Sequence, residues 1–314
     1  MKKIAIINGG MPYEKFDIKL SLDRITDAFE KLGYLYKIFE PSNDIRVLHD
    51  IEAYDPDLCY VLDSYYVEEV DGEFVKFDYR STLDKIDVLC TGSSMESAAI
   101  CLDKLEAKKY VKELNIMTPE SITVRNETDL LSINFYPIIL KPINEGEGKD
   151  VYLCNNDQEA IKYIHEMLKK YSIVMAEEYI DGLEINVGVL GNANMAKALI
   201  PVELEFLTGK IYDYTAKSNH YSVIHHVPAR VNNVMIERIS NISEAIYQKL
   251  KCNGITRIDY RVRGNEIYFL EINTQPSLSH TANIGAAIEK MGWNFETLVN
   301  SICTGQASLL HFVR

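Results

Sequence analysis

Two short runs near the C-terminal end constrain this chain more than any others: Arg257-Ile258-Asp259 and Glu271-Ile272-Asn273. They lie in Ile255–Val262 and Glu266–Ile272, segments rich in β-branched and aromatic residues. Gly264-Asn265 separates them, so the pattern predicts an antiparallel hairpin. Side chains two apart on a strand leave the same face, which groups Glu271 with Asn273 and Arg257 with Asp259. Asp259 precedes Glu271 by twelve residues, an even separation, and the two share a face only if the loop holds an odd number of residues. The expectation is a three-residue loop, Arg263-Gly264-Asn265, with Arg257 opposite Glu271. One guanidinium, two carboxylates and one amide then converge, a hard-oxygen set suited to holding Mg²⁺ between nucleotide phosphates. A solvated strand face with a cross-strand Arg/Glu pair would carry the same pattern.

Whole-chain properties exclude several partners. With 314 residues, 47% of them hydrophobic and 25% charged, the chain has the length for two or three globular domains. A net charge of −13 argues against a nucleic-acid backbone as ligand, because that calls for a basic face. The six cysteines show no C-x-x-C pair and no paired histidine spacing, and they read as buried thiols of a reducing cytoplasm. Nowhere do eighteen apolar residues run uninterrupted, and the N-terminus reads as a strand, so neither membrane spanning nor export is expected.

Three segments differ in pattern. Residues 1–92 read as an N-terminal parallel α/β domain: a strand at Ile4–Ile7, a helix with Leu22, Ile25, Phe29 and Leu32 inward and Gly33 as its cap, and further strands at Tyr34–Phe39 and Leu58–Leu62. Gly9-Gly10 lacks the rest of a dinucleotide fingerprint and reads as an ordinary tight turn. Residues 93–183 read as a central lobe. One helix from Met95 to Leu114 opens it, and an antiparallel sheet follows from Ile122–Arg125, Pro137–Lys141, Asp150–Cys154 and Ile173–Tyr179, with a helix at Gln158–Tyr171. Residues 184–314 read as a C-terminal sheet-and-helix lobe that carries the hairpin, a polar stretch at Thr208–Ser222 and a last helix.

The middle segment adds a nucleotide pattern. The apolar strand Ile138-Ile139-Leu140 ends in Lys141-Pro142 and runs into the glycine-containing loop Asn144–Lys149, where a lysine and loop N–H groups can meet phosphate oxygens. The strand ending at Glu177-Glu178 then turns through Asp181-Gly182 to Glu184. Acids here can accept from an adenine amino group and from ribose hydroxyls, although any one of them alone would also read as a solvated strand terminus. His225 and His226 sit on an apolar strand-like run and read as structural.

In order along the chain, "INGG" with Glu14 after it, "TGSSMESAAICLDK", "YPIILKPINEGEG", "AEEYIDGLEINVGVLG", "IYDYTAK", "ITRIDYRV" and "FLEINTQP" resemble the ATP-grasp superfamily and, within it, the D-alanine-D-alanine ligases. The resemblance spans nearly the whole chain. It implies an α/β fold of the α+β ATP-grasp type. The implied reaction is phosphorylation of one amino acid's carboxylate by ATP, then attack on the acyl phosphate by a second amino acid's amine. Lys104 and Lys141 look like the ATP-phosphate lysines, and Glu177, Ile180 and Glu184 like the adenine and ribose contacts. Lys217 resembles the phosphate-contacting lysine of a mobile loop, and Asp259, Glu271 and Asn273 the ligands of two Mg²⁺ ions, with Mn²⁺ as a substitute. Arg257 resembles the arginine that stabilises the tetrahedral intermediate, and Glu14 the anchor of the first substrate's ammonium. The implied partners are amino-acid substrates and a second copy of the chain as a homodimer.

The departures from the family pattern cluster around the acceptor. Glu147-Gly148 replaces Ser-Ser, and Ser218, followed by Asn219 and His220, replaces the mobile-loop tyrosine. Pro276-Ser277-Leu278 replaces Pro-Gly-Met, which keeps a backbone N–H for an oxyanion and places the Ser277 side chain in the catalytic set. The family's Ser-His-Ser-Leu becomes either His280-Thr281-Ala282-Asn283 or, shifted by one, Ser279-His280-Thr281-Ala282. Glu147, Ser218, His220, Ser279 and His280 are therefore the candidates for an altered acceptor pocket. The expected function is an ATP-dependent ligase forming a D-alanyl or similar dipeptide. A ligase for another amino acid or a hydroxy acid, or a non-catalytic ATP-binding regulator, are the alternatives.

Overall fold

The computed structural model describes residues 2–9, 15–70, 73–146, 148–211, 222–280 and 282–305. The N-terminal sheet is parallel, in the order β2-β1-β3, from β1 (Lys3–Asn8), β2 (Leu35–Phe39) and β3 (Leu58–Asp63). Helix α1 (Lys15–Leu32) ends at Gly33, whose φ of 70° suits glycine and lets the N–H of Tyr34 reach back to the carbonyl of Phe29 (2.9 Å). Helix α2 (Ile45–Tyr54) returns the chain to β3. An antiparallel pair, β4 (Tyr65–Val70) and β5 (Glu73–Asp78), and the short helix α3 (Arg80–Leu83) follow. No sequence expectation covered that pair.

The single helix expected from Met95 to Leu114 is two: α4 (Met95–Leu102) and α5 (Lys104–Lys112). Asp103 breaks the run. Its extended backbone ends α4, and its carboxylate accepts from the N–H groups of Leu105 and Glu106, capping α5. The break makes Lys104 the first residue of α5 and puts Lys108 one turn later on the same face. Both helices pack on the C-terminal sheet, because Cys101, Ala107 and Val111 join the core formed by Ile185, Val187, Ile258, Tyr260 and Phe269.

The central sheet is antiparallel in the order β6-β9-β7-β8, from β6 (Ser121–Val124), β7 (Ile138–Pro142), β8 (Tyr152–Cys154) and β9 (Val174–Glu178). Helix α6 (Asp157–Lys170) covers it through Ala160, Ile164 and Met167. The C-terminal sheet runs β13-β12-β10-β14-β15, with β11 (Met195–Ala198) beside β10. Its strands are β10 (Leu183–Asn192), β12 (Val202–Phe206), β13 (Val223–His226), β14 (Gly254–Arg263) and β15 (Glu266–Asn273). Helix α7 (Asn233–Lys249) packs on its apolar face through Met235, Ile239 and Ile246. Where one last helix was expected there are two, α8 (Asn283–Lys290) and α9 (Phe295–Thr304). Leu298, Val299 and Ile302 of α9 share a core with Ile4, Ile6, Phe29 and Tyr60, so the chain's end closes against its beginning.

The hairpin differs from expectation in an instructive way. Arg263 pairs with Glu266, so the loop is the two residues Gly264-Asn265, with Gly264 at φ 60°. The odd residue demanded by parity appears instead as a bulge: Tyr260 faces Phe269, Asp259 faces Glu271, and Leu270 is the extra residue. Arg257 therefore lies opposite Asn273 rather than Glu271. The carboxylates still share a face, now as a directly opposed pair.

Candidate active site

Register across three strands builds one polar face. Glu184 and Asn186 of β10 oppose Arg261 and Asp259 of β14, and Asp259 opposes Glu271 of β15. Gly188 opposes Arg257, where a Cβ would come within 2.5 Å of Ile284 and 2.7 Å of Leu199. The alternate residues, Ile185, Val187, Ile258, Tyr260 and Val262, point into the core. Two opposed carboxylates thus stand on adjacent strands whose other face is fixed by burial.

Asp259 is held from two sides. Arg257 donates to both of its oxygens, Nε to Oδ1 at 2.8 Å and Nη2 to Oδ2 at 2.9 Å, in a bidentate pair. The Asn186 amide donates to Oδ1 at 2.8 Å. Behind it the chain of donors continues: Asn283 Nδ2 donates to Asn186 Oδ1, and the Asn283 carbonyl oxygen is 2.7 Å from Nε2 of His225. Because an amide oxygen only accepts, that Nε2 carries a hydrogen. His226 beside it pairs with Glu205 at 2.6 Å.

A second cluster sits under the central sheet. Glu177, only 2% exposed, takes Lys141 on Oε1 (2.7 Å) and Lys108 on Oε2. Burial pushes its carboxyl up, but Lys108 and Lys141 together outweigh that and hold it below the usual range. Burial drives Lys108 the other way, down to about 8, although Glu177 opposes the shift. Lys104 spans the two clusters. Its ammonium donates to the carbonyl of Glu145 at 2.6 Å and lies 3.5 Å from Glu271.

These groups line one cleft of about 760 Å³, part of it open to solvent. Lys104, Lys141, Glu177, Ile180, Glu184, Asp259 and Glu271 border it, together with Gly146 and Gly148 of the glycine loop. So does Arg261, which sequence reasoning missed. It pairs with Glu184 at 2.8 Å, donates to the carbonyls of Gly182 and Lys210, and lies over the rings of Tyr179 and Phe206. Its position two residues beyond Asp259, on the face already inferred, was the available signal. Lys108 was also missed. Its spacing of four from Lys104 on a helix was the clue there.

A family profile described as "D-ala D-ala ligase C-terminus" matches residues 110–304. The D-alanine–D-alanine ligase of Fusobacterium nucleatum subsp. nucleatum is 30% identical over 299 residues, 95% of this chain and 96% of that protein. This chain belongs to the D-alanine–D-alanine ligase family. Another member, from Pelagibacter ubique, is 30% identical over 313 residues, covering 96% of this chain and 97% of its own. The crystal structure of the Bacillus anthracis D-alanine–D-alanine ligase superposes with a TM-score of 0.78 at 23% identity, covering 98% of both chains. That of the VanG D-Ala:D-Ser ligase from Enterococcus faecalis gives 0.77 at 21%, covering 96% of this chain and 98% of that one. These last two likenesses establish the ATP-grasp fold. Membership in the D-alanine–D-alanine ligase family makes the chain an ATP-dependent ligase acting on small molecules.

The residues that the family resemblance singled out divide into two sets. Glu14, Glu147, Lys217, Ser218 and His220 lie outside the described residues. Ser277 is described, and its hydroxyl is 3.2 Å from those of Ser21 and Ser279. The N–H of Leu278, on the turn expected to supply an oxyanion donor, points to Ser21 Oγ at 3.2 Å. Ser279 is buried and His280 exposed. Asn273 accepts from the N–H of Gln275 at 2.8 Å, and neither Asn273 nor Arg257 borders the 760 Å³ cleft. Among the described residues no helix is long and apolar enough to cross a membrane.

Proposed function

We propose that this ligase joins two amino acids, D-alanine or a close relative first, through an acyl phosphate. The γ-phosphoryl group of ATP passes to the first substrate's carboxylate and ADP leaves. The second substrate's amine then attacks the acyl carbon, and phosphate and a proton are released. The observation that carries this reading is one cleft bordered by Lys104 and Lys141, the buried acid Glu177 and the opposed pair Asp259 and Glu271.

In this reading Lys104 and Lys141 bind the ATP phosphates, and Glu184 takes the ribose hydroxyls in exchange for part of its pairing with Arg261. Glu177 and the backbone around Ile180 read the adenine edge. Since both Glu177 oxygens already accept from lysines, the adenine amino group shares an oxygen rather than finding an empty one. Asp259, Glu271 and Asn273 fit Mg²⁺, or Mn²⁺ in its place. They are hard oxygen donors on one face, and among the described residues Asp259 Oδ2 accepts from Arg257 alone, which leaves a lone pair for a cation. Two Mg²⁺ ions, when bound, neutralise phosphate charge during transfer. Arg257, held bidentately, faces the tetrahedral intermediate, Lys217 closes on the phosphates, and Ser277 and Glu14 serve the first substrate.

The division into a substrate domain (1–92), a central grasp lobe (93–183) and a C-terminal lobe with the metal site (184–314) belongs to the same proposal, as do a cytoplasmic setting and a homodimer. Glu147, Ser218, His220, Ser279 and His280 form the altered acceptor pocket. A panel of D- and L-amino acids and hydroxy acids, offered with ATP and Mg²⁺ and followed by ADP release and product mass, tests the proposal. D-alanine as first substrate gives a dipeptide mass, whereas ADP formation with a hydroxy acid alone would identify an ester product instead. ATP binding without ADP formation under any substrate would overturn the ligase reading. Ser218→Tyr shifts the preference profile across this panel more than it shifts ATP affinity, and an unmoved profile would remove the mobile-loop argument.

A further inference from the structure

A second cavity lies where the N-terminal sheet meets the exit of the β14–β15 hairpin, and it shares no lining residue with the nucleotide cleft. It encloses about 380 Å³, part of it open to solvent. Val61, Leu62, Ile255, Pro276, Leu278 and Ile302 form the apolar part of its wall. Set into that wall is Arg80 of α3, only 6% exposed.

Arg80 is unusually placed for a buried cation. Among the described residues its guanidinium makes one hydrogen bond, from Nη2 to the carbonyl of Thr91 at 2.8 Å, and no ion pair. Burying a charge without a counter-charge is costly, and an arginine fork presents five N–H donors that want acceptors. Gly92 makes room for it, since a Cβ there would sit 3.0 Å from Nη2 and the backbone holds φ at 87°. The same cavity contains a second unmatched donor, the buried Gln275 Nε2, which has no partner among the described residues. Arg80 and Gln275 thus line one small cavity with no acidic side chain in its lining.

We propose that this cavity is a binding site for a small monocarboxylate with a short aliphatic body and no amino group. The carboxylate sits on Arg80 and Gln275, and the aliphatic part lies on the Val61, Ile255 and Ile302 wall. The absence of an acid from the lining excludes a zwitterionic amino acid, whose ammonium would be buried without a partner. That chemistry separates the site from the amino-acid substrates of the proposed reaction. Gln275 also links the cavity to the hairpin, because its backbone N–H donates to Asn273 Oδ1. Occupancy therefore steadies the residue assigned to the metal site. Only this last coupling rests on the proposed function, and the binding itself does not.

The test uses the full chain with sodium isobutyrate as the probe, and bromide and D-alanine as the contrasting arms. Crystals soaked in isobutyrate show density between Arg80 and Gln275, and those soaked in D-alanine show none there. Isobutyrate at about ten times its Kd raises the wild-type Tm by about 2–3 °C. Arg80→Met folds with an unligated Tm at or above that of wild type, since it removes an unmatched buried charge, and it loses the isobutyrate shift. Gln275→Leu weakens the same shift and stands in should Arg80→Met fail to fold. Bromide in the cavity without isobutyrate, an adventitious ion only, would overturn the proposal. So would density for D-alanine at Arg80, no density at all, or a Tm shift that survives both substitutions.

Discussion

Replacing Glu177 with glutamine keeps the shape of the side chain and removes the charge that two buried lysines share. Lys108 and Lys141 both reach this carboxylate, and all three side chains are under 10% exposed. Breaking a buried ion pair by removing one partner costs about 3–5 kcal/mol. Burial already pushes Lys108 down to about 8 with Glu177 in place. Without the acid, Lys108 sheds its proton near neutral pH, which holds the loss to the low end of that range, about 3 kcal/mol. A chain of this size should then lose about 4–5 °C in Tm at pH 7 by scanning calorimetry.

The sign of the pH dependence follows from the same shifts. The folded-state pKa of Lys108 lies below its unfolded value, so its cost is fully present below about pH 8 and is relieved as pH rises toward 10.5. Glu177 is held low, so its stabilisation is present above about pH 4.5 and is lost as pH falls through its folded pKa. The gap between wild type and Glu177→Gln is therefore widest from about pH 5 to 7 and narrows as pH passes 8. Adding Lys108→Met to the variant restores part of the loss. A Tm within about 1 °C of wild type at pH 7, or a gap equally wide at pH 10, would refute the reasoning.

Glu271→Gln should lower turnover by about a hundredfold or more, on the order of 3 kcal/mol of transition-state electrostatics, measured as ADP release at saturating ATP. Turnover near that of wild type would count against the metal assignment. Asn186→Leu removes one of the two donors on Asp259 Oδ1 and strands the Asn283 amide N–H, which should cost about 1–3 kcal/mol of stability. It should also raise the Mg²⁺ concentration for half-maximal turnover and weaken Mn²⁺ binding in a spin-resonance titration. An unmoved metal titration would show that the His225–Asn283–Asn186 chain does not position Asp259.

Much of the site was legible because period-two and helical spacing are local. The hairpin, the shared face of Asp259 and Glu271, and the lysine at the end of β7 all follow from residue order. Parity even required one extra residue in the hairpin, but it could not say where. The bulge at Leu270 supplied it, and the choice between a longer turn and a bulge rests on packing of Tyr260 and Phe269 into the core. The break at Asp103 was readable in principle, since aspartate caps helices, yet an unbroken apolar pattern on both sides concealed it.

By itself the sequence determined the element types, the two-faced character of β10, β14 and β15, and the kinds of side chain available for phosphate chemistry. Those depend on contacts between residues close in the chain. Tertiary structure alone decided which distant groups became partners: Lys108 with Glu177 across 69 residues, His225 with Asn283 across 58, and Asn283 with Asn186 across 97. It also left Arg80 buried without a counter-charge among the described residues. Such pairings carry no periodic signal, because the energy of a buried charge depends on what the folded chain brings within a few ångströms of it and not on its neighbours in sequence.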